Sequence, residues 1–162
     1  MTPEIADALR NILLEELELE DALLLKIAEA IPEDQMTWKP EAAKAWGANE
    51  LAHHCAAAAH FFLSVFDGTA GAPSAQLPAP TEKIALLESI RTTQAHFRNR
   101  VAQATPEQLA APCDFFGTET TGIAMLNWHK MHMVHHRGQV ALYLRLMGAQ
   151  VPGTYGPSGD EG

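Results

Sequence analysis

Apolar residues recur at three- and four-residue intervals through four long segments, and the alternation expected of strands is nearly absent. The first segment follows Thr2 and Pro3, a capping residue with proline at the first helical position, and runs to about Ala30. A linker, "PEDQMTWKPEAAKAWG", carries two prolines and ends in glycine. The second helix begins near Ala48 and Asn49 and runs through "ELAHHCAAAAHFFLSVF" to Asp67 and Gly68. After the loop "DGTAGAPSAQLPAP", Thr81 can cap a third helix with Ile84, Leu87, Ile90, Thr93 and Phe97 at helical spacing, ending near Ala102. A further loop, "TPEQLAAPCDFFGTETTG", precedes a fourth helix that Gly148 closes after Met147.

This pattern predicts an all-α fold, a four-helix bundle built as one domain over residues 1–162, with residues 152–162 as a turn-rich tail. The tail can wrap back on the bundle or extend from it. The connection between the second and third helices is long enough to cross the bundle end. Those two helices can therefore run parallel or antiparallel.

Half of the eight histidines fall in "NWHKMHMVHHRGQV" on the fourth helix: His129, His132, His135 and His136. At about 100° per residue, His132 and His136 project within roughly 40° of each other, one turn apart. Their face continues through Val140, Tyr143 and Met147, which reads as the bundle interior. His129 lies one turn earlier near the same stripe, and His135 points away. Two histidines four apart can chelate one metal ion, because their ring nitrogens converge. Two buried histidines satisfied by hydrogen bonds are the competing reading.

The second helix bears on that choice. His54 shares a face with Leu51, Ala58, Phe61 and Val65, so it too points inward. His53 sits roughly 100° round, in line with His60, and both are expected at a margin or interface. Alanines 56 to 59 remove bulk beside His54, leaving room for a neighbouring helix or a ligand. One inward histidine here and two on the fourth helix make three nitrogen donors, the number a catalytic metal site uses when it keeps a position open. A zinc protease would need H-E-x-x-H, which "HMVHH" lacks. A di-iron carboxylate site would need two E-x-x-H motifs, and only "ELAH" is present. His96 reads as a surface residue, and Cys55 as a buried structural cysteine.

Composition narrows the function classes. The formal net charge of -9, with lysine and arginine scattered, argues against a nucleic-acid partner. Two cysteines, Cys55 and Cys113, provide no disulfide framework and no C-x-x-C motif, which suits a reduced, cytoplasmic setting. No apolar run approaches the roughly 20 residues that cross a bilayer.

The segments "MHMVHHRGQVALYLRLMG" and "VPGTYGPSGDE" resemble the DinB-like family of metalloenzymes, whose last helix carries H-x-x-x-H-R-G-Q, then Y-L-R and a glycine. Here that pattern falls on His132, His136, Arg137, Gly138, Gln139, Tyr143, Leu144, Arg145 and Gly148. An earlier stretch, "MTWKPEAAKAWGANELAHH", is similar to the family's W-x-P linker and E-L-x-x-H helix start. That register places the first ligand on His54, since Leu51 precedes it by three. The resemblance implies an up-down-down-up bundle, a divalent metal on His54, His132 and His136, and commonly a homodimer. It also implies relatives that are metal-dependent transferases or isomerases acting with low-molecular-weight thiols.

The resulting expectation is a metal-dependent enzyme, a thiol S-transferase or related hydrolase, using zinc or nickel, with iron and manganese also suited to three imidazoles. The alternative is a non-catalytic, stress-related bundle protein in which the metal is structural. Gln139 and Tyr143 are candidates to orient ligands or a small-molecule substrate. Gly138 is read as permitting close helix approach. A second apolar stripe on the fourth helix, Met131, Val134, Leu142 and Leu146, is the reason to expect a homodimer rather than a monomer whose tail covers it.

Overall fold

The computed structural model describes residues 1–42, 44–68 and 78–160. Most of the loop expected between the second and third helices, and the end of the tail, lie outside the described residues. The described residues are mostly helical, with one two-stranded sheet among them. Helix α1 spans Pro3–Glu29, α2 Ala48–Ala57, α3 Ala59–Leu63, α4 Lys83–Gln103, α5 Pro106–Ala110 and α6 Gly122–Leu146. Strands β1 (Pro112–Phe115) and β2 (Thr118–Thr121) form an antiparallel hairpin.

Local chemistry accounts for the helix starts. The Thr2 hydroxyl accepts from the Ile5 N–H and Pro3 follows it, so α1 begins where a cap and a proline predict. The Glu50 carboxylate accepts from the Gly47 N–H at 2.6 Å and closes the start of α2. Thr105 and Gln108 cap α5 reciprocally. The expected cap at Thr81 is not made: α4 starts after Glu82, and no side chain bonds its first turn. The expected second helix breaks at Ala58 into α2 and α3 and ends in a 3-10 turn, Ser64–Asp67, closed by Gly68 at φ 68°.

Two further expectations are corrected. The segment 112–121, expected as loop, pairs as a hairpin with Phe116 and Gly117 at its tip, both at positive φ. Four-residue strands are too short to show an alternation, and phenylalanine is an unusual occupant of a turn position that prefers asparagine or aspartate. Gly138 does not admit a neighbouring helix, since a Cβ there would meet open space. The close approach occurs at Gly122, where a Cβ would stand 2.6 Å from the Gln108 carbonyl oxygen, so α6 starts tight against α5.

The core lies where α6 packs on α1 and α2 and α4 packs on the opposite sides of both. Leu17, Leu24, Ile27, Leu86, Ile90, Phe97, Met133 and Leu144 fill it, and the fully buried Ala52 and Ala56 let α2 lie close to its neighbours. Ile84 departs from the expected stripe and is largely exposed, its place taken by the buried Leu86. The tail folds back: Lys26 Nζ donates to the Gly153 carbonyl at 2.8 Å, and Val151 is buried.

One polar contact ties three parts of the chain together. Arg137 on α6 is buried and paired with Glu20 on α1, itself nearly buried. The Tyr155 hydroxyl donates to Glu20 Oε1 at 2.6 Å and accepts from Arg137 NH2 at 2.5 Å. Removing one partner of such a pair leaves an uncompensated charge inside, at a cost of about 3–5 kcal/mol. Glu20→Ala should therefore lower stability by that order, read as a shift in the denaturant midpoint. Glu20→Leu combined with Arg137→Met should cost clearly less than Glu20→Ala alone.

Candidate metal centre

The histidine cluster is assembled from two helices that cross at the core. His54 comes from α2, one turn after Leu51, and His132 and His136 come from successive turns of α6. One ring nitrogen from each of the three lies within 4.8 Å of the others. The Nε2 atoms of His54 and His132 are 3.1 Å apart. That spacing suits a hydrogen bond, and it is also close to the roughly 3.3 Å edge of a tetrahedron with metal–nitrogen bonds of about 2.0–2.1 Å. The three rings stand edge to face, with centroids 4.4 to 4.8 Å apart.

Gln139 decides which nitrogen of His136 faces the cluster. Its Oε1 lies 2.7 Å from His136 Nδ1, and its Nε2 lies 3.2 Å from His135 Nε2. An amide oxygen only accepts and an amide nitrogen only donates, so the His136 proton sits on Nδ1 and its Nε2 carries the lone pair. An outer hydrogen bond of this kind is the usual way a metal-binding imidazole is oriented. His132 has no such partner, and its Nδ1 is buried without a hydrogen bond. Tyr143 packs edge-on against Trp38, with centroids 5.5 Å apart.

The other histidines separate cleanly. His135 is exposed, as are His60 and His96. His129 is buried between Phe97 and Phe62, with centroids 4.2 and 5.4 Å away, and stays outside the cluster. His53, expected at a margin or interface, lies at an interface between helices. It is buried between α2 and α4, with Nε2 3.1 Å from the Ser89 hydroxyl, because α4 packs directly across that face of α2. Cys55 is fully buried, bonds the Leu51 carbonyl, and has its thiol pushed up to about 12 by burial.

A cavity of about 240 Å³ opens beside the cluster, lined by Trp46, Glu50, His53, His54, Ala57 and Pro78. Trp46 stands over His54 and His136, with ring centroids 4.5 and 6.0 Å away. Sequence reasoning did not single out Trp46 or Glu50. Trp46 belongs to a linker with no periodicity, and Glu50 entered only as part of a helix start and of the single E-x-x-H motif set aside with the di-iron reading.

Burial makes the three rings neutral donors. His54 and His132 are each lowered to about 4, first by desolvation and then by the neighbouring histidines, His136 foremost. His136 is lowered by desolvation, against the hydrogen bond it donates to Gln139. Neutral imidazole is the form that coordinates a metal, so the site is prepared to bind one at neutral pH.

The sequence pattern of the DinB family matches residues 7–162, and the chain belongs to that family. Two Bacillus subtilis proteins are similar along most of their length. YrdA is 31% identical over 117 residues, covering 72% of this chain and 70% of YrdA. YjoA is 31% identical over 126 residues, covering 76% and 80%. The crystal structure of a DinB-like protein from Bacillus cereus superposes with a TM-score of 0.74 at 24% identity, covering 88% of this chain and 95% of that one. That of YjoA gives 0.68 at 26%, covering 85% and 92%. No helix among the described residues is long and apolar enough to cross a membrane.

The depressed histidines make a pH prediction for the metal-free protein. Unfolded imidazoles take up protons near pH 6.5, while folded His54 and His132 resist until about 4. Their contribution to stability is whole above about pH 6.5 and is lost as pH falls towards 4. Denaturant titrations across pH 4–8 should show that decline, and His132→Gln should flatten it. An unchanged slope in the variant would mean other groups carry the pH dependence.

Proposed function

We propose that His54, His132 and His136 hold a divalent metal ion, and that the protein is a metal-dependent enzyme acting on a small molecule. The observation that carries this reading is the convergence of three neutral imidazole donors beside an open cavity. Among the described residues the cluster contains no fourth donor, and a purely structural ion is usually closed by four. The cavity offers space for a substrate next to the ligands.

The chemistry a divalent ion supplies at such a site is Lewis acidity, which turns a thiol or a water into a nucleophile near neutral pH. Either outcome fits the donor set: a thiol S-transferase with a low-molecular-weight thiol as co-substrate, or a related hydrolase. Three imidazoles suit zinc or nickel and also accept iron or manganese. The chain's own part is to hold the three donors in place. Gln139 keeps the His136 proton on Nδ1, and Trp46 walls the cluster on one side. The reading extends to a single-domain four-helix bundle in up-down-down-up order, working in the cytoplasm.

Alanine at His54, His132 or His136 should remove most bound metal, measured by elemental analysis of protein purified without a histidine tag. His135→Ala should retain it, and Gln139→Ala should weaken affinity about 10- to 100-fold through loss of ring orientation. Equal loss at His135 would overturn the ligand set.

We also propose that the protein is a homodimer. Met131, Leu142 and Leu146 on α6 remain more than half exposed, and so do Ile5, Ile12 and Leu19 on the adjoining α1. The folded-back tail leaves these side chains uncovered, and apolar faces of this extent commonly mark an interface. Light scattering after size exclusion at micromolar concentration should return twice the chain mass. A monomer that persists at high concentration would sink the dimer.

A further inference from the structure

The cavity beside the histidines is chemically lopsided. Of its lining residues His53 is buried and His54 half-buried, while Glu50 and Trp46 are exposed. Glu50 is the one carboxylate among its described lining residues, and they include no lysine or arginine. The Glu50 Oε2 atom is committed to the Gly47 N–H, while Oε1 has no partner among the described residues. An aromatic ring and an open carboxylate oxygen on one small cavity make a pair of attractions for a protonated amine. The surplus of acidic groups over the whole chain adds a field of the same sign.

We propose that this cavity is an ammonium subsite, and that its ligand is a small bifunctional molecule with a metal-binding group at one end and a protonated amine at the other. The inference rests on the metal reading above and adds the substrate's second functional group. At about 240 Å³ the cavity is below the usual range for drug-sized ligands, so the molecule is short. The metal-binding end meets the three imidazoles. The amine meets Glu50 Oε1 and the Trp46 ring. His53, held by Ser89, supplies a neutral polar wall between them.

The test uses the full chain loaded with cobalt(II), whose visible absorption reports ligand exchange at the metal. Cysteamine and 2-mercaptoethanol are titrated in parallel, and the quantity read is the ratio of their dissociation constants, because the amine also acidifies its own thiol. Glu50→Gln keeps an acceptor for the Gly47 N–H and removes the charge. It should reduce the preference for cysteamine about fivefold, as expected for a partly exposed ion pair, while cobalt uptake is kept. Glu107→Gln, the same charge change on α5, should leave the ratio unaltered. If Glu50→Gln unfolds, Trp46→Leu reads the same ratio and should reduce it by a factor of about two to five. A ratio unchanged in either variant, with cobalt bound, overturns the subsite alone. Failure of the unmodified protein to take up cobalt overturns the metal reading and the bifunctional ligand with it.

Discussion

The rotation of α6 about its own axis is set by one buried ion pair. Arg137 cannot remain in the interior without Glu20, so the helix must turn that residue towards α1. The neighbouring position, about 100° round, is then committed to the other side, and that position is His136. His132, one turn back, follows. The histidine face of α6 meets His54 on α2 because a charge elsewhere on the same helix has nowhere else to go. The Arg-Gly-Gln stretch after His136 is therefore two devices in one: Arg137 orients the helix, and Gln139 orients the ring.

Much of this was legible before any coordinates. The long helices announce themselves through caps, prolines and apolar spacing, and α1 begins and ends close to where those signals put it. The inward direction of His54, His132 and His136 follows from helical geometry, which is why His54 could be grouped with a pair that begins 78 residues later. What stayed hidden depends on the packing of one element across another. His53 was left between a margin and an interface because nothing in the sequence states that α4 lies over it. The hairpin was too short to declare a period, and its Phe-Gly tip does not carry the usual turn chemistry. Trp46 joins the cavity beside Glu50 through the path of a linker, and no periodicity encodes a path.

The histidine cluster also illustrates a balance between stability and binding. Three imidazoles crowded into a partly dry space resist protonation, and His136 makes both of the others resist further. The same crowding that leaves His132 Nδ1 without a partner keeps the donors in the form that binds a cation. Burying polar atoms without a full set of hydrogen bonds destabilises a fold, and sites of binding or catalysis are where that cost is commonly tolerated.

The position of the ion pair along the chain has a consequence for biosynthesis. Glu20 and Arg137 are 117 residues apart, and Glu20 and Tyr155 are 135 apart. On the ribosome, α1 emerges long before either partner exists, so its carboxylate must stay hydrated while the intervening chain is made. The α1–α6 contact can close only after Arg137 has left the exit tunnel. Until then the apolar stripe of α1 is without its α6 neighbour, and exposed surface of that kind is what makes a nascent chain prone to aggregate.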